Sequence, residues 1–484
     1  MAREKMSTVD TAWLRMDSKS NLMMIVGIHV FESSLDIKAL RAVVSERLLS
    51  FRRFKQKVEM ESTGAWWVDD KHFDLNNHVK QIRLIPAEKG RKTGSDQDLQ
   101  ILVGKLSMEP LNPEQPLWQF CLVENYNGSN ALVARIHHCI ADGIALVAVT
   151  MSLTDSAPPI PGLKRQESDG EQNPWMPYIN PITKGTIKAI SASGTAWSKS
   201  LEILAQPDRL VDYAQIAAQV LKDAAKIAMM PNDTPTKLKG KPGTAKAVAW
   251  NKPLPLDEVK AVSKALNCSI NDVLLACVAG ALRNYLLQHE PVAKDTEMRA
   301  MVPVNLRALK DAYKLGNKFG LVPLTLPVGM INPIARVLEV QRRMNELKTG
   351  YQAFLSFGVL GLVGATPKPV QTQVLDILAR KASAVMTNVP GPQTPLYVAG
   401  AKVKQMLFWV PQSGDIGLGV SILSYNGGVQ FGVITDTELC DEPQHIIDGF
   451  EPEFNKLVYT LSLLPHEMFG SNIDADIIET ALFQ

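Results

Sequence analysis

His137-His138-Cys139-Ile140-Ala141-Asp142-Gly143 places two adjacent imidazoles, a carboxylate and a glycine in one short segment of a chain with eight histidines. Histidine can take and return a proton near neutral pH. A carboxylate four residues after His138 could fix the orientation of its ring, and Gly143 would let the backbone turn sharply beside it. These are the minimal parts of a general-base site. A lone histidine more often packs in a core or caps a turn. A chance match of all four fixed residues in 484 is, however, on the order of one in a thousand at ordinary residue frequencies. Adjacent histidines on a strand point in divergent directions, which does not suit joint chelation of a metal. Cys139 reads as a small packed residue before it reads as a nucleophile.

The elements around the motif explain how it would be positioned. Residues 118–125 and 131–136 alternate like a strand pair around Tyr126-Asn127-Gly128-Ser129, and the second strand runs straight into His137. Helical spacing resumes at 144–153, so the motif occupies a strand-to-helix junction, where side chains face crevices. Upstream, 21–31 reads as a buried strand, 36–49 as a helix with Leu40, Val43, Val44 and Leu48 on one face, and 97–106 as another helix. The prolines and the Ser/Thr/Lys-rich tract of 155–206 read as a linker, followed by one long amphipathic helix over 208–230. Downstream, Ser269 to Asp272 resembles a capping box that opens a helix through Leu287. Residues 301–307 and 384–392 read as strands ending in loops, 334–351 as a helix, and 416–435 as a hairpin about Asn426-Gly427. The expected organisation is a lobe over 1–155, a linker with its helix over 156–243, and a second lobe over 244–484.

Bulk properties narrow the function. Net charge is +2, and no basic block interleaved with aromatics appears, which excludes a nucleic-acid partner. Five scattered cysteines show no metal spacing and fit a reduced, cytoplasmic protein. No signal-peptide core and no run of ~18–20 apolar residues is seen, so the expectation is a soluble or peripheral protein. The nucleophile elbow GxSxG, the phosphate loop and the HExxH zinc helix are all missing from the sequence. Gly414 to Gly419 has glycines without dinucleotide spacing.

Read together, these residues resemble the bacterial wax ester synthase/acyl-CoA:diacylglycerol acyltransferases. That family lies within the HHxxxDG acyltransferases, alongside chloramphenicol acetyltransferase and the condensation domains of peptide synthetases. The resemblance runs over nearly the whole chain. Leu14 to Asp17 with Asn21 to Met24 looks like the opening segment, and Phe73 to Val79 resembles the FDLxxHV stretch. Pro116-Leu117-Trp118 matches PLW, Asn271-Asp272 matches ND, and Asn388 to Pro392 with Pro395-Leu396-Tyr397 matches NVPGPxxPLY. Met24 stands where many members carry histidine, and Asp17 where some carry glutamate.

The resemblance implies an α/β fold of two chloramphenicol-acetyltransferase-like lobes, mixed sheets flanked by helices, with a tunnel between them. It implies transfer of a long acyl chain from acyl-CoA to a fatty alcohol or diacylglycerol, with acyl-CoA as substrate and no cofactor. His138 would be the general base. His137 would shape the loop or assist. Asp142 would be structural, holding the loop through a cation such as Arg307. Asn271 would donate to the oxyanion or simply cap its helix. Trp118, with Gly143, would border the substrate, although a strand tryptophan is more often core. The turn Asn388 to Pro392 would position a crossover between the lobes. The helix over 208–230 would pack on a lobe or touch a membrane or lipid-inclusion surface. The same fold with a non-lipid acceptor, or a non-catalytic lipid-binding protein, are the alternatives.

Overall fold

A computed structural model describes residues 3–61, 64–155, 229–306, 315–349, 352–366 and 368–463. The expected linker and helix lie outside these up to residue 228, as does Arg307.

Two mixed sheets carry the molecule. The first runs in the order Tyr397–Val398, Ala401–Trp409, Met24–Phe31, Ser129–His137, Trp118–Tyr126, Val79–Arg83. Met24–Phe31 is apolar along nearly its whole length because it is paired on both edges and covered on both faces. The hairpin joining Trp118–Tyr126 to Ser129–His137 turns at Asn127 and Gly128, both with positive φ (47° and 80°), as a tight two-residue hairpin demands. The second sheet runs Phe319–Leu326, Met298–Asn305, Ala384–Pro390, Leu418–Tyr425, Gly428–Asp436, Lys246–Trp250, and Leu254–Pro255 also pairs with Gly428–Asp436.

The sheets share the chain in an uneven way. After Ala384–Pro390 in the second sheet, the backbone crosses over and lays Ala401–Trp409 antiparallel against Met24–Phe31 in the first. It then returns to the second sheet as Leu418–Tyr425. The Tyr425 hydroxyl fastens this crossing: it accepts from Leu396 N–H (2.9 Å) and donates to the Val403 carbonyl (2.8 Å). A buried Lys246 Nζ adds a tie, donating to Asn21 Oδ1 (2.9 Å) and Asp436 Oδ2 (3.1 Å).

Helix Ile270–Leu287 is the spine of the second lobe. Ser269 and Asp272 form the capping box read from the sequence. The helix is 18 residues long and apolar enough by length and composition to cross a membrane, but 72% of it is buried inside the fold, so it serves as a core helix. Its Gly280 sits against a buried ion pair between Arg336 and Glu453; a Cβ there would overlap Glu453 Oε2 and lie 2.7 Å from Arg336 Nη2. Gly-to-Ala changes inside a helix ordinarily stabilise by about 0.5–1 kcal/mol. Here the sign reverses. Gly280→Ala is expected to lower stability by about 1–3 kcal/mol through overpacking against a buried charge pair. Urea denaturation measures this, and a variant as stable as the parent would contradict the packing argument.

Candidate active site

The motif is built where Ser129–His137 runs out. His137 N–H donates to the Leu117 carbonyl (2.9 Å), His138 N–H to the Met23 carbonyl (2.7 Å), and Ile140 N–H back to the His137 carbonyl (3.0 Å). The chain is thereby folded into a short loop, and helix Gly143–Ser152 begins immediately after it.

The two histidines lie in opposite electrostatic settings. His137 is anchored at one nitrogen, where Nδ1 accepts Cys139 N–H (3.1 Å), and its Nε2 lies 3.3 Å from Asp17 Oδ2. Burial resists a charge on this ring, and the Asp17 carboxylate beside Nε2 favours one. Asp17 is itself fixed, accepting Met23 N–H (2.6 Å). His137 therefore shapes the loop.

His138 is 3% exposed and packs face to face on Trp13, with centroids 4.2 Å apart and planes at 12°; Phe319 tilts against it at 5.4 Å. Burial pushes its pKa down to about 4, against the opposing pull of its own carbonyl and the Asp142 charge. At neutral pH the ring is uncharged and free to accept a proton. The pH profile follows. If His138 is the base, kcat/KM should hold as pH drops below 6.5 and fall only through about 4. An acid limb centred near 6.5 would overturn this assignment.

Asp142 does a different task from the ring-orienting one first suggested by its spacing. It is the N-cap of helix Gly143–Ser152, with Oδ1 accepting Ala145 N–H (2.9 Å) and Oδ2 accepting Lys318 N–H (2.9 Å) from the second lobe. Gly316 and Ala141 form a parallel bridge beside it. The next residue, Asn317, donates from Nδ2 to the His138 carbonyl (2.7 Å) and to Asp10 Oδ1 (2.7 Å). Burial raises the Asp10 pKa, although the hydroxyl of Ser7 and the amide of Asn317 oppose it. Orientation of the His138 ring thus falls to Trp13, stacked on it, and Asn317, bonded to its backbone.

His138, Asp142 and Gly143 open onto a cavity of about 660 Å³ between the lobes, lined mostly by apolar side chains. Asn271, from the second lobe, lines the same cavity. It does not cap its helix, because Ser269 and Asp272 already do so. Its Oδ1 accepts from Asn388 Nδ2 (2.7 Å), which orients the amide and leaves Asn271 Nδ2 without a protein partner among the described residues. Asn388 therefore adds a positioning bond to the crossover turn it begins.

Two expectations need correction. Trp118 does not line the cavity. It is 1% exposed, stacked on His78 at 4.6 Å, with Nε1 donating to the Phe54 carbonyl (2.9 Å), so it is core. Gly143 needs no left-handed backbone, since it opens the helix with φ outside the positive region. A Cβ built there would meet nothing within 4 Å, so the glycine keeps space open. Trp13, Asn317 and Asp10 escaped the sequence reading because each meets the motif only through tertiary packing.

Similarity to known proteins agrees with this geometry. The wax ester synthase/diacylglycerol acyltransferase catalytic domain matches residues 6–274, and the WS/DGAT C-terminal domain matches residues 315–458. A probable diacylglycerol O-acyltransferase of Mycobacterium tuberculosis H37Rv is 27% identical over 465 residues, covering 94% of this chain and 95% of that one. Among solved structures, the wax ester synthase/diacylglycerol acyltransferase of Marinobacter aquaeolei VT8 aligns with a TM-score of 0.64 at 21% identity, over 95% of this chain and 100% of that one. The first condensation domain of the calcium-dependent antibiotic synthetase aligns with a TM-score of 0.58 at 13% identity, over 95% and 96%. At these identities the two structures share the fold.

Proposed function

The chain is an acyltransferase of the wax ester synthase/diacylglycerol acyltransferase family, and we propose that it moves a long acyl chain from acyl-CoA to the hydroxyl of a fatty alcohol, a diacylglycerol, or both. The observation that carries this is a neutral, stacked His138 on the wall of a large, mostly apolar cavity that Asn271 also lines. In the proposed step the alcohol oxygen attacks the thioester carbonyl while His138 takes its proton. The carbon–oxygen bond forms, and the carbonyl oxygen becomes an oxyanion that receives the free amide N–H of Asn271. Collapse breaks the carbon–sulfur bond, and the imidazolium returns its proton to the CoA thiolate. Because the thioester arrives activated, no acyl-enzyme and no cofactor enter the scheme.

The test is direct. Purified protein is mixed with palmitoyl-CoA and either hexadecanol or dioleoylglycerol, and released thiol is followed. Release that depends on the lipid acceptor is expected. Release only with a non-lipid alcohol would move the reading to another acceptor class, and no release with any acceptor would favour a lipid carrier. Such acceptors reside in membranes and lipid inclusions, so we place a cytoplasmic protein at that kind of surface. Flotation with dioleoylglycerol-containing vesicles checks this placement, and protein left at the bottom of the gradient would reject it.

A further inference from the structure

A second, smaller cavity of about 70 Å³, here called the branch, adjoins the main one. The two share Gly143, Val389, Gly391 and Phe408 as lining residues, so the branch begins beside the catalytic loop. Ile25, Gly27 and His29 supply one wall. Successive odd positions face the same side of strand Met24–Phe31, so the wall extends four residues, roughly 13 Å at the strand rise. Its direction is fixed by register. Met24 pairs with His137 at the catalytic end, and His29 pairs with Leu132 far down the sheet. Helix Gly143–Ser152 and the crossover strand close the other sides with Leu146, Met151 and Met406.

Three features of this branch suit a hydrocarbon. Apart from Thr150 and His29, its side chains carry no hydrogen-bonding group. Gly143, which lines both cavities, has open space where a side chain would stand. Gly27 halfway along meets only ordinary contacts at its missing Cβ, with the Leu407 carbonyl at 3.6 Å, so no close backbone approach requires a glycine there. His29 lines the end farthest from His137 along the strand. Neither ring nitrogen has a partner among the described residues, and burial lowers its pKa to about 4, so it presents an uncharged floor.

We propose that this branch holds the terminal segment of the hydrocarbon chain of one substrate, and that Gly27 and His29 set the chain length it accepts. The inference rests on the acyl-transfer reading. Its test compares kcat/KM for thiol release in two series: octanoyl-CoA against palmitoyl-CoA with a fixed alcohol, and octanol against hexadecanol with a fixed acyl-CoA. Gly27→Val fills the branch midway and should lower the long-to-short ratio by about tenfold or more in one series, the scale of a lost methylene contact in an apolar pocket. His29→Ala deepens the floor and should raise the same ratio several-fold. The opposite signs separate a chain-length effect from general damage to the fold. The series that responds identifies the chain, acyl or alcohol, that occupies the branch. Ratios unchanged in both series for both variants would overturn the inference while leaving acyl transfer intact. A parent that releases no thiol with any pair would overturn the acyl-transfer reading, and this inference with it.

Discussion

His138→Ala is expected to lower kcat/KM for acceptor-dependent thiol release by ~10²–10⁴, the usual contribution of a positioned general base. The effect should fall on turnover with the fold intact, because the loop is held by main-chain bonds and by the neighbours of His138. Asn317 bonds to the carbonyl of residue 138 and would still do so in the variant, and Asp142 keeps its helix cap. His137 is not placed to substitute, since its Nδ1 accepts Cys139 N–H and its ring does not line the cavity. A variant that releases thiol as fast as the parent would remove His138 from the mechanism.

Asn271→Ala carries the second large effect. Loss of a single oxyanion donor costs ~10²–10³ in kcat. Since the oxyanion exists only along the reaction path, KM should change little. The helix supplies an internal control. Ser269 is the cap, so Ser269→Ala should cost about 1 kcal/mol of stability with little catalytic loss. Asn271→Ala should show the reverse: normal thermal unfolding with impaired turnover. Asn388→Ala, which frees the Asn271 amide to rotate, should fall between parent and Asn271→Ala. Unimpaired kcat in Asn271→Ala would reject the donor role.

Much of this was legible in the sequence because it is local. The hairpin into His137 follows from alternation and an Asn-Gly turn, and the capping box at Ser269 from residue types three apart. The resemblance carried the two-lobed α/β plan. What escaped depends on contacts between distant segments. Nothing near Trp13 says that its ring will lie on His138, 125 positions later. The Asp142 spacing suggested a partner within the motif, and the structure supplies Lys318 N–H from the other lobe instead. Trp118 shows the converse error: a motif residue whose neighbours, His78 and Phe54, make it a packing centre. Strand Ala401–Trp409 was not anticipated, because its pairing partner, Met24–Phe31, lies near the other end of the chain.

That strand has a consequence for biosynthesis. When residues 24–137 have emerged from the ribosome, the strand that carries the histidine loop is already made, but one edge of Met24–Phe31 has no partner until residue 409 follows. An apolar strand with an open edge is a template for wrong pairing. Closing a contact over some hundreds of residues is also slow, and leaves the intermediate exposed while it waits. The nascent first lobe is therefore expected to be the stage most open to wrong pairing. In the order of synthesis His138 and Asn271, which line one cavity, are both made before the strand Ala401–Trp409 that completes the first sheet.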